Sequence, residues 1–135
     1  MRILLGVIFI AIVLSLCVFV MYKRRSQESF ESFENLDSQE DMYYILFWAK
    51  WCPHCTAMKS DWEKLTKKYD GKKVNGKRCH IVSAEESDTN TAEYRNKCPI
   101  KIRGFPTIML VNAGKWKEYA GGRNFASFES FIKST

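Results

Sequence analysis

A run of aromatic and β-branched residues, Tyr43-Tyr44-Ile45-Leu46-Phe47-Trp48, leads into a closely spaced cysteine pair, and a helix pattern starts just beyond Cys52. The run reads as a buried strand. Past Cys52, Met58, Trp62, Leu65 and Tyr69 recur at steps of four, three and four. That is the stripe of an amphipathic helix, and Asp70-Gly71 stops it.

The remaining elements follow from the same patterns. Cys79 to Ser83 is a second strand candidate and Thr89 to Lys97 a short helix. Thr107 to Val111 is a third strand, which Asn112-Ala113-Gly114 turns into Lys115 to Tyr119 as a β-hairpin. Gly121-Gly122 breaks the chain, and Phe125, Phe128, Phe131 and Ile132 mark the apolar face of a final helix. The order β-α-β-α-β-β-α predicts a layered α/β domain with a mixed sheet of about four strands flanked by helices.

Ahead of this domain, Ile3 to Tyr22 carries no charged side chain over twenty residues. At about 1.5 Å per residue such a helix covers roughly the 30 Å apolar core of a bilayer. A signal peptide would need a shorter apolar stretch and small residues before its cleavage site. Here the run ends in Val18-Phe19-Val20-Met21-Tyr22, so residues 1–22 are expected to form a single transmembrane anchor. Cys17 within it is expected to be a small packing residue rather than an acylation site. Setting the anchor aside leaves 113 residues, room for one small domain, and nine Phe, six Tyr and four Trp supply its core.

Residues 23–41 read as a polar juxtamembrane linker, with Lys23, Arg24 and Arg25 followed by Glu28, Glu31, Glu34, Asp37, Glu40 and Asp41. Phe30, Phe33 and Leu36 could add one short docked helix. The basic triplet suits anionic headgroups, and by the positive-inside rule it places the C-terminal domain in the cytoplasm. A lumenal, periplasmic or viral membrane is the alternative. Residues 42–135 then form the domain, with 17 basic and 9 acidic side chains, a balance of +8. Lys64, Lys67, Lys68, Lys72, Lys73, Lys77 and Arg78 make up much of that excess. No aromatic interleaving or nucleic-acid module accompanies them, so they are expected to be a solvated face and nucleic acid is not the expected partner.

Trp51-Cys52-Pro53-His54-Cys55 carries the chemistry. A cysteine at a helix N-terminus faces unpaired backbone N–H groups and the positive end of the dipole, which stabilise a thiolate. Cys55 lies one turn further on, close enough to form a small-ring disulfide. His54 can add positive charge or a donor beside the Cys52 sulfur. Cys52, the more exposed, is expected to attack, and the more buried Cys55 to resolve the mixed disulfide. A zinc site would also use such a pair, completed by Cys79, His80 or Cys98, but these lack the usual ligand spacing. Dithiol chemistry is therefore the expectation, with no metal and no cofactor beyond a Cys52–Cys55 disulfide. Cys79 and Cys98 are expected to be buried thiols, with a second disulfide as the alternative.

Phe47-Trp48-Ala49-Lys50-Trp51-Cys52-Pro53-His54-Cys55 resembles the active-site segment of the thioredoxin superfamily, both tryptophans included. Arg103-Gly104-Phe105-Pro106-Thr107 is similar to that family's second signature, whose proline is cis. Glu118-Tyr119-Ala120-Gly121-Gly122-Arg123 looks most like the matching stretch of protein disulfide isomerase catalytic domains. The resemblance spans nearly all of 42–135 and implies a thioredoxin-like fold and roles for particular residues. Pro106 would lie against the cysteine pair, and the backbone around Phe105 and Thr107 would hold an extended substrate strand. Trp51 would form the lip of the groove and Gly122 would keep its opposite wall low. Arg123 would approach Cys55 and help it lose its proton.

The chain also departs from the family pattern. Leu46 stands where a buried acid usually accepts the Cys55 proton, so that task would fall to Arg123, Lys50 or water. Ser60 replaces the proline that commonly kinks the helix. The usual first strand is absent from the short polar stretch before Tyr43. Pro53-His54 matches periplasmic dithiol oxidases, which implies a disulfide more oxidising than that of thioredoxin. The function expected is a membrane-anchored oxidoreductase exchanging disulfides with protein cysteines and with an upstream redox partner. The alternative is a thioredoxin-like peptide-binding module without turnover.

Overall fold

The computed structural model describes residues 11–22 and 35–135. Residues 11–22 form helix α1, with apolar side chains such as Leu14, Val18 and Met21 exposed. Among the described residues no helix is long and apolar enough to cross a membrane. Residues 3–10 of the expected span lie outside the described residues, as do 23–34 of the expected linker with their basic triplet, Phe30 and Phe33.

A separate compact unit runs from Asn35 to Thr135. It opens on a short 3-10 turn, Asn35–Asp37, where Leu36 is buried and its carbonyl accepts the Gly114 N–H at 3.1 Å. Of the residues expected in the linker, Leu36 is buried against this unit and Asp41 opens its first strand, while Asp37, Gln39 and Glu40 are exposed.

The elements that follow are β1 (Asp41–Trp48), α2 (Pro53–Tyr69), β2 (Lys73–Val74), β3 (Lys77–Glu85) and α3 (Ala92–Lys97). After them come β4 (Thr107–Asn112), β5 (Lys115–Glu118) and α4 (Phe125–Lys133). The five strands form one mixed sheet in the order β2-β3-β1-β4-β5, with β1 and β3 parallel and the other pairs antiparallel.

The expectation of about four strands is corrected by β2, a two-residue edge strand paired with the start of β3. Asn75 and Gly76 turn between them at φ 52° and 82°, the left-handed pair that a two-residue hairpin requires. Ala113 and Gly114 make the matching turn between β4 and β5 at φ 49° and 71°.

β1 is the central strand and is buried on both faces, which explains its unbroken apolar run. Met42, Tyr44 and Leu46 join Met58, Trp62 and Leu65 of α2 and Phe128 and Ile132 of α4 in the main core. Tyr43, Ile45 and Phe47 point the other way, by strand alternation, and are also buried. Trp62 and Phe128 meet edge to face at 5.5 Å, tying α2 to α4. α2 runs unbroken for 17 residues with Ser60 in it, as expected without the helix proline. Asp70 caps its end and accepts the Ile81 N–H at 2.9 Å, which fixes α2 to β3. The chain leaves β1 at Trp48 and enters α2 at Pro53, so residues 49–52 sit at the C-terminal end of the central strand.

Candidate active site

Cys52 is the N-cap of α2, in extended conformation, and Pro53 opens the helix where a missing N–H costs nothing. The Cys55 backbone N–H donates to the Cys52 sulfur at 3.3 Å, so the thiol itself caps the helix. From the other side the Cys52 Sγ lies 3.5 Å from the Phe105 carbonyl, to which it donates. The peptide bond after that carbonyl, Phe105–Pro106, is cis. Cys52, Cys55 and Ala49 form a small buried cluster against Trp48 and Phe105.

Contact with Phe105 covers Cys52 almost as fully as its partner: the two are 4% and 2% exposed. The difference in access expected between them is small for that reason. Burial first of all pushes the Cys55 thiol up to about 11, and its hydrogen bond to Cys52 adds to the rise. A backbone contact at Ala49 and the positive charge of Arg123 work the other way. The charge of Arg123 is the smallest of these influences. Leu46 is buried in the main core among apolar side chains.

Lys50 and His54 were expected to tune the pair. The Lys50 ammonium lies 3.7 Å from Glu85 and is largely solvent-exposed. His54 is exposed in the first turn of α2, and no hydrogen bond joins it to either thiol. Trp51, expected at the lip of the groove, is 70% exposed. Its indole N–H donates to Glu86 at 2.8 Å, and its ring meets Phe105 edge to face at 6.0 Å.

Glu85 and Glu86 escaped the sequence reading. Parallel pairing sets Trp48 opposite Glu85, and the Glu86 N–H donates to the Trp48 carbonyl at 2.8 Å. Arg95 of α3 donates to the carbonyls of both glutamates. Glu85 is buried apart from 8% of its surface, and the Ser87 N–H and hydroxyl hold its carboxylate below the usual range, with help from Lys50. The end of β3 thus braces the loop that carries the cysteines. No local signal announces this, because it depends on a strand pairing made across α2.

Beside Pro106 a groove of about 180 Å³ is lined by residues that include Thr107, Glu118, Tyr119, Gly121 and Arg123. Gly121 rather than Gly122 borders it. A side chain on Gly122 would come within 2.6 Å of Ser127 Oγ, so its smallness serves the packing of α4. The Thr107 hydroxyl donates to the Gly104 carbonyl at 2.8 Å and closes the turn before β4.

Cys79 and Cys98 are both free thiols. Cys79 is fully buried in the main core, where burial pushes it up to about 12. Cys98 caps α3 and donates to the Ile100 carbonyl at 3.2 Å. Among the described residues no three His, Cys, Asp or Glu side chains come together as a metal-holding group.

The thioredoxin family model matches residues 22–134. A protein disulfide-isomerase A6 homolog of Drosophila melanogaster is 30% identical over 99 residues, which cover 70% of this chain and 21% of the relative. Protein disulfide-isomerase A3 of Gallus gallus is 30% identical over 101 residues, 73% and 18% of the two chains. This chain spans about a fifth of the length of those relatives. The first thioredoxin domain of mouse protein disulfide-isomerase A4 superposes with a TM-score of 0.53 at 22% identity, covering 76% of this chain and 68% of that one. The J-Trx1 fragment of ERdj5 gives 0.54 at 16%, covering 76% and 46%, and both likenesses bear on the fold alone. The matched segment takes in every strand of the sheet and the helices packed on it, and the chain belongs to the thioredoxin family.

Proposed function

We propose that this chain is a membrane-anchored thiol–disulfide oxidoreductase acting on protein cysteines. The observation that carries the reading is the seat of Cys52, which caps α2 against the Cys55 N–H and faces the Phe105 carbonyl beside Pro106. At the helix N-terminus the Cys52 sulfur faces the first-turn N–H groups, and it reacts as the thiolate. That thiolate attacks a substrate disulfide: its S–S bond breaks, one substrate thiolate leaves, and a Cys52–substrate disulfide forms. Cys55 then gives up its proton, to the departing thiolate or to water, and attacks the Cys52 sulfur. The second substrate thiolate leaves, the substrate is reduced by two electrons, and Cys52–Cys55 is oxidised. The reverse sequence oxidises a dithiol. Arg123 eases the loss of the Cys55 proton. Two relatives named protein disulfide-isomerase support protein thiols and disulfides as the substrate class.

The charge-free run of residues 3–22 supplies the anchor in this reading, and Lys23, Arg24 and Arg25 favour a cytoplasmic domain. Resistance to carbonate extraction tests the anchor, and protease protection in sealed vesicles tests the side.

Leu46 favours a second reading, a peptide-binding module, because no carboxylate stands there to take the Cys55 proton. One trap separates the two. Cys55→Ala should accumulate a mixed disulfide through Cys52 with a disulfide-bonded protein, seen on non-reducing gels and lost in Cys52→Ser. Absence of any adduct would leave the binding module.

A further inference from the structure

A second depression adjoins the groove at Pro106. It measures about 360 Å³ and is lined by Ile100, Lys101, Arg103, Thr107 and Glu118. Thr107 and Glu118 border both depressions, so the two are successive stretches of one surface. Arg103 stands two residues before Phe105, whose carbonyl meets the Cys52 sulfur.

The charge on this surface is uncompensated. Lys101, Arg103 and Arg123 are exposed, and among the described residues none of them forms an ion pair, although Glu118 lies along the same two depressions. Exposed lysines elsewhere divide: Lys50, Lys64, Lys68 and Lys133 find carboxylates, while Lys59, Lys67, Lys72 and Lys73 do not, so what sets Lys101 and Arg103 apart is their place along a depression that adjoins the groove at Pro106. Just before Cys52 in the chain, Lys50 engages Glu85 and the Trp51 indole engages Glu86, so the charges there are balanced. The surface leading away from Pro106 thus carries three cations against one carboxylate, next to the turn whose Phe105 carbonyl meets the Cys52 sulfur.

A peptide extended along this surface places a side chain about every 3.3 Å, alternating faces. Residues two to four positions from its cysteine fall within reach of long basic side chains. We propose that Lys101 and Arg103 select substrates bearing Asp or Glu two to four residues from the reacting cysteine. The inference rests on the oxidoreductase reading above and names its substrate class. Rim charges act mainly on encounter rate and are screened by salt.

The test uses the full chain in its reduced form, in detergent micelles, with three peptides of equal length. Each peptide has one intrachain disulfide, with Glu, Gln or Lys placed two to four residues from each cysteine. Single-turnover reduction is quenched with acid, read by mass spectrometry and normalised to the rate with dithiothreitol. The expected order is Glu, then Gln, then Lys, spread over about tenfold at low salt and narrowing at high salt. The double variant Lys101→Glu/Arg103→Glu should invert the order and leave the Gln rate within about twofold. Equal normalised rates for the three peptides, or an order that survives in the double variant, overturn the proposal. No reduction of the Gln peptide by the unaltered protein removes the oxidoreductase reading, and the preference with it.

Discussion

Cys55 and Cys79 are about equally inaccessible, 2% and 0% exposed, and burial raises both thiols, to about 11 and about 12. Their surroundings differ. Cys55 sits in the first turn of α2 with a second thiol beside it and the charge of Arg123 acting on it. Cys79 belongs to the main core, and the charge that acts on it, Asp70, is negative and raises it further. Burial alone therefore does not separate a reactive thiol from an inert one. In the proposed function a helix N-terminus, a partner thiol and a cation do.

The sharpest way to break this comparison is to exchange the losses. Cys52→Ser should lower disulfide exchange by at least about a thousandfold in a single-turnover assay, since the nucleophile is gone. Cys79→Ala should leave exchange within about twofold and cost about 1–2 kcal/mol in denaturant unfolding, the price of a small cavity. Loss of exchange in a folded Cys79→Ala protein would show that burial does not make this thiol inert.

Arg123→Gln should slow resolution of the Cys52 mixed disulfide by about three- to tenfold at neutral pH while leaving the initial attack unchanged. Resolution should quicken as pH rises toward the Cys55 value near 11, because the thiolate is the attacking form. Removing Arg123 should shift that profile to higher pH. An unshifted profile would take the cation out of the comparison.

Alkaline unfolding probes the Cys79 side. Cys79 rises from 9.0 to about 12, and Tyr43 and Tyr44 from 10.0 to about 12, all chiefly through burial. Their contribution to stability is whole below the unfolded values of 9.0 and 10.0. It is lost as pH rises through the folded values, because the unfolded chain sheds these protons first. Denaturant midpoints should therefore fall between pH 9 and 12, and Cys79→Ala should make the fall shallower in that window. The smallest effect is expected at the brace: Glu86→Ala frees the Trp51 indole and should raise KM by about two- to threefold with kcat nearly unchanged.

Much of this could be read from local pattern. The 43–48 run became β1, the Met58-Trp62-Leu65-Tyr69 stripe became the buried face of α2, and Asn112-Ala113-Gly114 became the hairpin turn. Asn75-Gly76 carried the same kind of turn signal, but the strand it serves is only two residues long, too short to show a period. Glu85 and Glu86 were illegible for another reason. Their place beside Trp48 and Trp51 follows from the parallel β1–β3 register, made across an intervening helix and hairpin.

The sequence by itself determined which residues could do chemistry: two cysteines one helical turn apart, a strand before them, a proline and an arginine far along the chain. Helical and strand periods, turn residues and helix-capping preferences act over a few neighbours, and so they survive in one dimension. Only the tertiary structure decided what meets the sulfurs. It set the Phe105 carbonyl 3.5 Å from Cys52 and left Lys50 with Glu85. Those contacts join residues far apart in the sequence, and the distance between such residues is set by how the sheet assembles, not by anything adjacent to them in the chain.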